Sequence, residues 1–275
     1  MTTPFPGTRD HTIEDARYGI LGAPLDVSTT FVPGTRFGPA GIRQQAMGFE
    51  DFDHRTGAHF SELRVVDRGD LHPWADVAEY LDFLTGEVAA LCEQSVTPIL
   101  LGGEHTISIA GIRATAPDLV MSIDAHLDLR EEFDGDPWSH ATVMHHALGL
   151  ADRGIILGAR AGCEAEWGRA EQQTAIKAIE PDGIADWLGT TDFGDASIYL
   201  TIDIDAIDPA FAPGTGTREP FGLTPSCVRD IIDAVAPNTI GFDVVETNDR
   251  DEGQTACVAA KLVRECIFQH AQYHQ

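Results

Sequence analysis

Short apolar runs alternate with longer segments of helical periodicity along almost the whole chain. The runs have the length and the bounding turns of buried strands. They cover residues 18–21, 63–66, 98–101, Leu119–Ile123, 154–157, 197–204 and Thr239–Val245. Such alternation predicts a doubly wound α/β fold in which parallel strands form the central sheet.

Three of the intervening segments have clear helix signals. Apolar side chains recur every three or four residues over 77–92, as on a helix that faces a core. Thr224 and Pro225 have the residue types of an N-cap and a first helical position, so a helix is expected over 226–236. A last helix is expected over Gln254–Tyr273. In a doubly wound sheet, ligands bind at the carboxyl ends of the strands, where the strand order reverses.

The charge is strongly negative, with 44 acidic against 18 basic residues and a formal net charge of -26. Such a surface repels nucleic acid, so no nucleic-acid partner is expected. Only Lys177 and Lys261 are lysines. An acidic, lysine-poor composition is similar to that of proteins from salt-loving cytoplasms, where salt screens the self-repulsion. An acidic docking face for a cationic partner is the alternative.

Length and composition favour a single domain spanning residues 1–275, because 43% of the residues are hydrophobic and a chain of this size can bury a substantial core. No signal-peptide pattern opens the sequence, and no apolar stretch reaches the length of a membrane span. We therefore expect a cytoplasmic protein with no membrane partner. The five cysteines are widely spaced and include no CxxC pair, which favours neither a disulfide framework nor a thiolate zinc site.

Aspartate and histidine follow three of the predicted strands directly, in the segments LLGGEHT, SIDAHLD and TIDIDAIDP. The residues are His105, Asp124, His126, Asp128, Asp203 and Asp205. In an extended chain every second side chain points to the same side, so the members of each segment can converge. Ionised groups after a buried strand are costly unless they are paired or bind metal. The pattern therefore predicts a cation site.

The ligand types narrow the choice of metal. Four carboxylates and two imidazoles without a thiolate suit Mn²⁺ better than Mg²⁺ or structural Zn²⁺. So many anionic ligands can neutralise two ions, with carboxylates bridging them. Two ions about 3.5 to 4 Å apart can activate a water at neutral pH.

The three segments resemble, in order and spacing, the metal-binding signatures of the arginase/agmatinase (ureohydrolase) superfamily. The stretches 22–26 and 33–43 are similar to that family's amino-terminal region, and 241–248 is similar to its last strand. The resemblance covers the chain from about residue 17. It implies an arginase-like three-layer α/β/α fold with a mostly parallel central sheet of about eight strands.

The resemblance also implies two Mn²⁺ per subunit. The ligands implied for one ion are His105, Asp124, Asp128 and Asp203. Those implied for the other are Asp124, His126, Asp203 and Asp205, so that Asp124 and Asp203 bridge. Relatives commonly form trimers or hexamers, which implies a homo-oligomer.

Three residues receive catalytic roles from the same resemblance. Glu246 matches the carboxylate that holds the substrate guanidinium, a sensible pairing of a planar cation with a carboxylate. His140 matches the histidine that relays protons to the departing amine. Asp128 is expected to accept the proton of the nucleophile as well as to bind metal.

The implied reaction is hydrolysis of agmatine to putrescine and urea, as in archaeal agmatinases. The segment 138–144 resembles the agmatinase type, and the loop 129–140 has no asparagine or threonine for a substrate carboxylate. Its acidic residues are expected to attract the second cationic end of agmatine, with Arg130 pointing outward. They are Glu131, Glu132, Asp134 and Asp136, together with Asp128 just before the loop. The substrate is a small cationic guanidino compound on this view.

Several alternatives stay open at this point. Arg130 pointed into the pocket would favour guanidinobutyrate or arginine. A zinc deacetylase of related fold or a catalytically silent scaffold is less consistent with six intact ligands. Glu104, in place of the commoner aspartate, and Val32, in place of a basic residue, depart from the family pattern. Glu219 could line the pocket or lie on a surface loop, whereas Asp208 is expected to form a turn.

Overall fold

Eight strands, all paired in parallel, form the central sheet of the computed structural model, which describes residues 3–8, 11–74, 76–248 and 250–274. The strands are β1 (Tyr18–Ala23), β4 (Val65–Asp70), β5 (Thr97–Gly102), β6 (Leu119–Ile123), β7 (Arg153–Leu157), β8 (Ile176–Ile179), β9 (Ile198–Asp203) and β10 (Thr239–Val245). Their order is β4-β1-β5-β10-β9-β6-β7-β8. A two-stranded antiparallel ribbon, β2 (Phe52–Asp53) with β3 (Ala58–His59), lies outside this sheet.

Helices cover both faces of the sheet. They are α1 (Gly38–Ala46), α2 (Val77–Cys92), α3 (Ser108–Thr115), α4 (Val143–Ala147), α5 (Glu164–Gln172), α6 (Ile184–Thr190), α7 (Pro225–Val235) and α8 (Gln254–Tyr273). Because side chains alternate along a strand, Ile20 packs with residues of α1, α7 and α8, whereas its neighbour Leu21 packs with residues of α2 and α3. The architecture is the three-layer α/β/α fold that the sequence predicted.

The strand order brings the chemistry-bearing segments together. Strands β5 and β6 are consecutive in the chain but not adjacent in the sheet, because β10 and β9 lie between them. The four central strands are therefore β5, β10, β9 and β6. Residues after these strands meet at one edge of the sheet, at the point where the order of strands reverses.

The boundaries of the helices and strands show where sequence periodicity was sufficient to predict an element. The last helix runs over Gln254–Tyr273 as expected, and Thr224 accepts a hydrogen bond from the Cys227 backbone N–H at the start of α7. The strand expected at 63–66 lies at Val65–Asp70 instead. Strand β8 was missed, because an edge strand of four residues with two buried isoleucines has too short an apolar pattern. In the described ranges no helix is both long and apolar enough to cross a bilayer.

Candidate metal centre

The turn after β5 places His105. Strand β5 ends at Gly102, and the chain enters a 3-10 turn, His105–Ile107, that leads into α3. A Cβ on Gly103 would lie 1.9 Å from the Leu25 carbonyl oxygen, so this close approach of two backbones requires glycine. The Glu246 backbone N–H donates to the Gly103 carbonyl at 2.8 Å and ties the end of β10 to the same turn.

The segment after β6 converges by a turn. The strand ends at Ile123, and the His126 backbone N–H donates to Asp124 Oδ1 at 2.7 Å. Asp128 has φ 49°, in the left-handed region, and its carbonyl accepts from the N–H groups at the start of α4. The three side chains meet as predicted, but Asp128 arrives through this bend and not through continued strand alternation.

Asp203 and Asp205 leave β9 in a similar way. Asp203 is the last residue of the strand, and Asp205 lies in the following 3-10 turn, Ile204–Ala206. The Asp205 backbone N–H donates to Asp203 Oδ1 at 2.9 Å, which orients both carboxylates. Asp205 Oδ1 in turn accepts the Ala125 N–H at 3.2 Å and links the β9 segment to the β6 segment.

The six predicted residues gather in two overlapping groups. His105 Nδ1 lies 3.1 Å from Asp124 Oδ2, 3.0 Å from Asp128 Oδ2 and 3.4 Å from Asp203 Oδ2. His126 Nδ1 lies 2.9 Å from Asp205 Oδ2 and 3.7 Å from Asp124 Oδ1. The ligand atoms of His105, Asp124 and Asp203 lie within 4.8 Å of one another and could hold one ion. Those of Asp124, His126 and Asp205 do the same, so Asp124 belongs to both sets, while Asp128 adjoins the first set through His105.

The donor atoms fit a cation. His105 Nδ1 and Asp124 Oδ2 are buried and make no hydrogen bond, although they lie 3.1 Å apart. Two buried acceptor atoms that lie this close without a hydrogen bond between them indicate that both point to a common ligand, as two atoms that bind one cation do.

A buried relay sets the tautomer of His105. The Thr201 hydroxyl donates to Asp243 Oδ1 at 2.6 Å and therefore accepts from His105 Nε2, 3.0 Å away. Nε2 thus carries the hydrogen, and Nδ1 keeps the lone pair that a metal requires. Asp243 was not singled out from the sequence. The only signal for it was one charged residue inside the apolar strand GFDVV.

The electrostatics of the cluster show excess negative charge. Burial and the neighbouring carboxylates of Asp205 and Asp124 raise the pKa of Asp203 well above its usual value. Burial lowers the pKa of His126, but Asp205 and Asp124 outweigh it and raise that pKa to about 12. A carboxylate that resists ionisation and an imidazole that retains its proton indicate a surplus of negative charge, which a bound cation would neutralise.

Glu246 follows β10 and reaches the same edge. Its φ is 60°, its side chain is almost fully buried, and its Oε1 accepts the His105 backbone N–H at 2.7 Å. A cavity of about 370 Å³ opens over Glu246 and the cluster. Its walls include His126, Asp128, Asp203, Asp205, Glu246 and the predicted proton relay His140.

The chain matches the family model described as the arginase family over residues 16–269. The chain belongs to the arginase family. It is 34% identical to an agmatinase of Bacillus cereus over 270 residues, with 93% of this chain and 92% of that relative covered. It is 33% identical to an N(1)-aminopropylagmatine ureohydrolase of Thermococcus kodakarensis, with 91% and 89% covered. The crystal structure of the agmatine ureohydrolase of Thermoplasma volcanium superposes with a TM-score of 0.90 at 30% identity, covering 98% and 95% of the two chains.

Within this arginase-family cavity, the acidic loop lies differently from the expectation. Glu131, Glu132 and Asp134 are exposed, and neither they nor Asp136 belong to the described lining of the cavity. Arg130 does line it, whereas it was expected to point outward. Its Nε lies 3.3 Å from Glu166 Oε2, and its guanidinium carbon is 5.0 Å from the centre of the Phe133 ring.

Glu219, which lies in the chain between β9 and α7, also lines the cavity. Its carboxylate lies 3.9 Å from His126 Nε2, and its carbonyl accepts from Arg160 Nη2 at 2.7 Å. Arg160 also donates to the Asp205 carbonyl at 2.8 Å, so one guanidinium ties Glu219 to the metal cluster. Asp208 accepts the N–H groups of Ala210 and Gly222 and forms the expected turn.

Proposed function

We propose that this protein hydrolyses agmatine to putrescine and urea at a centre of two Mn²⁺ per subunit. The observation that carries the proposal is the position of the Glu246 carboxylate, in the same cavity as two overlapping groups of possible metal ligands. The similarity over most of the chain to relatives named agmatinase supports the choice of substrate. The same similarity indicates that the protein is a hydrolase of C–N bonds.

The six residues would hold the two ions as the family pattern implies. His105 and Asp128 would contribute to one ion, His126 and Asp205 would contribute to the other, and Asp124 and Asp203 would contribute to both. The mixed set of oxygen and nitrogen donors favours Mn²⁺. When bound, such ions supply an acidified water as the nucleophile and act as Lewis acids.

Glu246 orients the substrate. Its backbone and Oε1 are tied to the turn of His105, so the carboxylate is preorganised at the edge of the cluster. A guanidinium can pair with it through two N–H groups, which places the guanidinium carbon towards the carboxylate cluster.

Asp128 and His140 handle the protons. The Asp128 carboxylate lies within the cluster and also lines the cavity, so it can accept the proton that the nucleophile releases. His140 lines the same cavity and protonates the amine nitrogen as its bond to the guanidinium carbon breaks. Without that proton the amine is a poor leaving group.

The cavity also offers a carboxylate for a second cation. Glu219 lines the cavity 3.9 Å from His126 Nε2 and would attract the terminal ammonium of agmatine, while Arg130 is held along the wall by Glu166 and Phe133. This assigns to Glu219 the attraction that the sequence suggested for the acidic loop.

Five wider properties belong to the same proposal. We expect one domain over residues 1–275, a homo-oligomer of three or six chains, and a cytoplasmic protein of a salt-rich cell that takes part in putrescine biosynthesis. The net charge of -26 supports the salt requirement, because unscreened self-repulsion opposes folding.

The test is urea release from agmatine, arginine and guanidinobutyrate with Mn²⁺, in high and in low salt. We expect the highest kcat/KM for agmatine in high salt. A higher value for either carboxylate substrate would contradict the agmatine proposal. Urea release from none of the three would contradict guanidino hydrolysis itself.

Arg130→Ala sharpens the choice of substrate. If Arg130 only lines the wall, the preference for agmatine over guanidinobutyrate changes by less than about fivefold. A loss of guanidinobutyrate turnover alone, by a hundredfold or more, would instead identify Arg130 as a carboxylate-binding residue.

A further inference from the structure

Glu104 is completely buried beside the candidate metal centre, and each hydrogen-bond partner that the described residues offer it is a donor. Its Oε1 accepts the backbone N–H groups of Val27, Ser28 and Thr29 and the Thr29 hydroxyl. Its Oε2 accepts the hydroxyls of Ser28 and Thr106, at 2.7 and 3.3 Å. An ionised carboxylate can only accept, so this environment suits Glu104 in its charged form.

Ser28 connects Glu104 to His140. The Ser28 Oγ is 3.0 Å from His140 Nδ1 and also accepts the His140 backbone N–H at 3.2 Å. Since its one hydroxyl hydrogen points to Glu104, Ser28 Oγ can only accept from the imidazole. The Ser139 hydroxyl donates to Ser28 Oγ at 3.3 Å, and Ser139 Oγ is also 3.3 Å from His140 Nδ1. Both contacts are longer than the bonds of Ser28 Oγ to Glu104 and to the imidazole.

The direction of these bonds determines the tautomer of His140. Burial lowers the pKa of His140, so the resting imidazole carries one N–H. Nδ1 must hold that hydrogen, because two lone pairs would otherwise face each other across 3.0 Å. Nε2 then has the lone pair and accepts from the Thr30 hydroxyl, 3.1 Å away at the cavity wall.

We propose that Glu104 and Ser28 are positioning residues that hold His140 as its Nδ1–H tautomer and leave Nε2 to exchange protons in the cavity. The catalytic part of this inference rests on the proposed function, whereas the tautomer does not. In the reaction, Nε2 takes the proton that Asp128 accepted from the nucleophile, which forms the imidazolium, and passes it to the amine nitrogen as the bond to the guanidinium carbon breaks. His140 returns to the neutral Nδ1–H form.

Glu104→Gln reverses the chain of hydrogen bonds. The amide oxygen keeps the backbone donors, and the amide NH₂ then donates to Ser28, whose hydroxyl hydrogen must turn to His140 Nδ1. We expect ¹⁵N NMR of the full-length chain, with diamagnetic Mg²⁺ in place of Mn²⁺, to show Nδ1–H in the wild type and Nε2–H in the variant. His140→Asn identifies the resonances of His140. An Nε2–H wild type, or a variant identical to the wild type, would overturn the proposal.

Kinetics test the consequence for catalysis. With Mn²⁺, Glu104→Gln should lower kcat about a hundredfold while KM for agmatine changes less than about threefold, since proton transfer and not substrate binding is impaired. Glu104→Asp restores an acceptor-only carboxylate and should recover at least part of kcat together with the Nδ1–H signal. Unchanged kcat in a variant with a flipped tautomer would refute the catalytic part.

If the buried Glu104→Gln variant fails to fold, variants at Ser28 and Thr29, which contact Glu104, can still test the proposal. Ser28→Ala removes the acceptor of Nδ1–H and should shift His140 towards Nε2–H, whereas Ser28→Thr should not. Thr29→Val is the matched control, because Thr29 contacts Glu104 but no atom of His140 among the described hydrogen bonds. A Ser28→Ala spectrum like that of the wild type would count against the proposal. If the wild type has the Nδ1–H tautomer but releases no urea, the proposed function is contradicted while the tautomer assignment stands.

Discussion

Two clusters of buried charge lie towards the carboxyl ends of the strands, and they are balanced in different ways. At β4, Arg43 is fully buried and pairs with Asp67 at 2.7 Å and with Asp70 at 2.5 Å. At the central strands, four carboxylates surround His105 and His126 without a lysine or arginine contact to their carboxylate oxygens among the described ion pairs. The fold supplies its own cation in the first cluster and leaves the second for cations from solution.

The difference shows how the fold separates stability from function. Buried carboxylates that face a permanent guanidinium stabilise the native state only as long as both partners remain. Burial, together with repulsion from neighbouring carboxylates, raises the pKa of Asp203 and Glu246, and such groups oppose folding until a cation offsets them. Substituting amide for carboxylate should therefore have opposite effects in the two clusters.

The largest effect is expected for Asp124→Asn, because Asp124 belongs to both candidate ligand groups. We expect kcat/KM for agmatine to fall about ten-thousandfold at saturating Mn²⁺, equivalent to roughly 5 kcal/mol of transition-state stabilisation. Steady-state urea release, with metal content measured on the same sample, checks this. Near-normal activity with one ion bound would contradict a two-metal centre.

Asp67→Asn breaks the balanced cluster. Asp67 accepts Arg43 Nε and Nη2 and the backbone N–H of Phe5, so the amide leaves the buried guanidinium with Asp70 as its one charged partner among the described ion pairs. We expect the free energy of unfolding to fall by about 3 kcal/mol. Denaturant titration in high salt measures it. Asp82→Asn is the control, since its exposed pair with Arg113 should contribute less than about 1 kcal/mol.

Asp203→Asn should have the opposite sign in the metal-free protein. Loss of one repelling carboxylate raises the unfolding temperature relative to the metal-free wild type, because burial and neighbouring carboxylates already disfavour its ionisation. In the wild type, Mn²⁺ at a hundred times its Kd adds about 2.7 kcal/mol of stability. The variant should lose most of that gain. Thermal unfolding with and without chelator measures both effects. An unfolding temperature of the metal-free variant equal to or below that of the metal-free wild type would contradict the contrast between the clusters.

Thr201→Val tests the relay behind His105 with the smallest expected effect. Without the Thr201 hydroxyl, His105 Nε2 loses its acceptor, and the tautomer with Nδ1 free is no longer favoured. We expect Mn²⁺ affinity to fall tenfold to a hundredfold, roughly 1.4 to 2.7 kcal/mol, with kcat restored by excess metal. Isothermal titration calorimetry measures the affinity. The same affinity as in the wild type would assign Thr201 and Asp243 to packing alone.

Much of the fold and the composition of the site followed from the sequence. Apolar runs indicated seven of the eight sheet strands, since burial on both faces leaves a local signature that periodicity detects. The six candidate ligands end or closely follow β5, β6 and β9 in the chain. The expectation that the carboxyl ends of parallel strands share one edge was therefore enough to predict a common cation site. The spacing of GGEHT, DAHLD and TIDIDAIDP resembled the family to which the chain belongs.

Only the tertiary structure determined the contacts between residues that are far apart in the chain. Arg130 lies along the cavity wall and Glu219 lines the cavity, whereas most of the acidic loop faces away, because side-chain direction depends on neighbours such as Glu166 and Arg160. The tautomers of the two histidines likewise depend on hydrogen bonds that span 96 residues to Thr201 and 112 residues to Ser28. Local sequence determines which groups arrive at the edge of the sheet. Which atom of each group carries a proton is determined by the three-dimensional arrangement of donors and acceptors, and local periodicity contains no record of it.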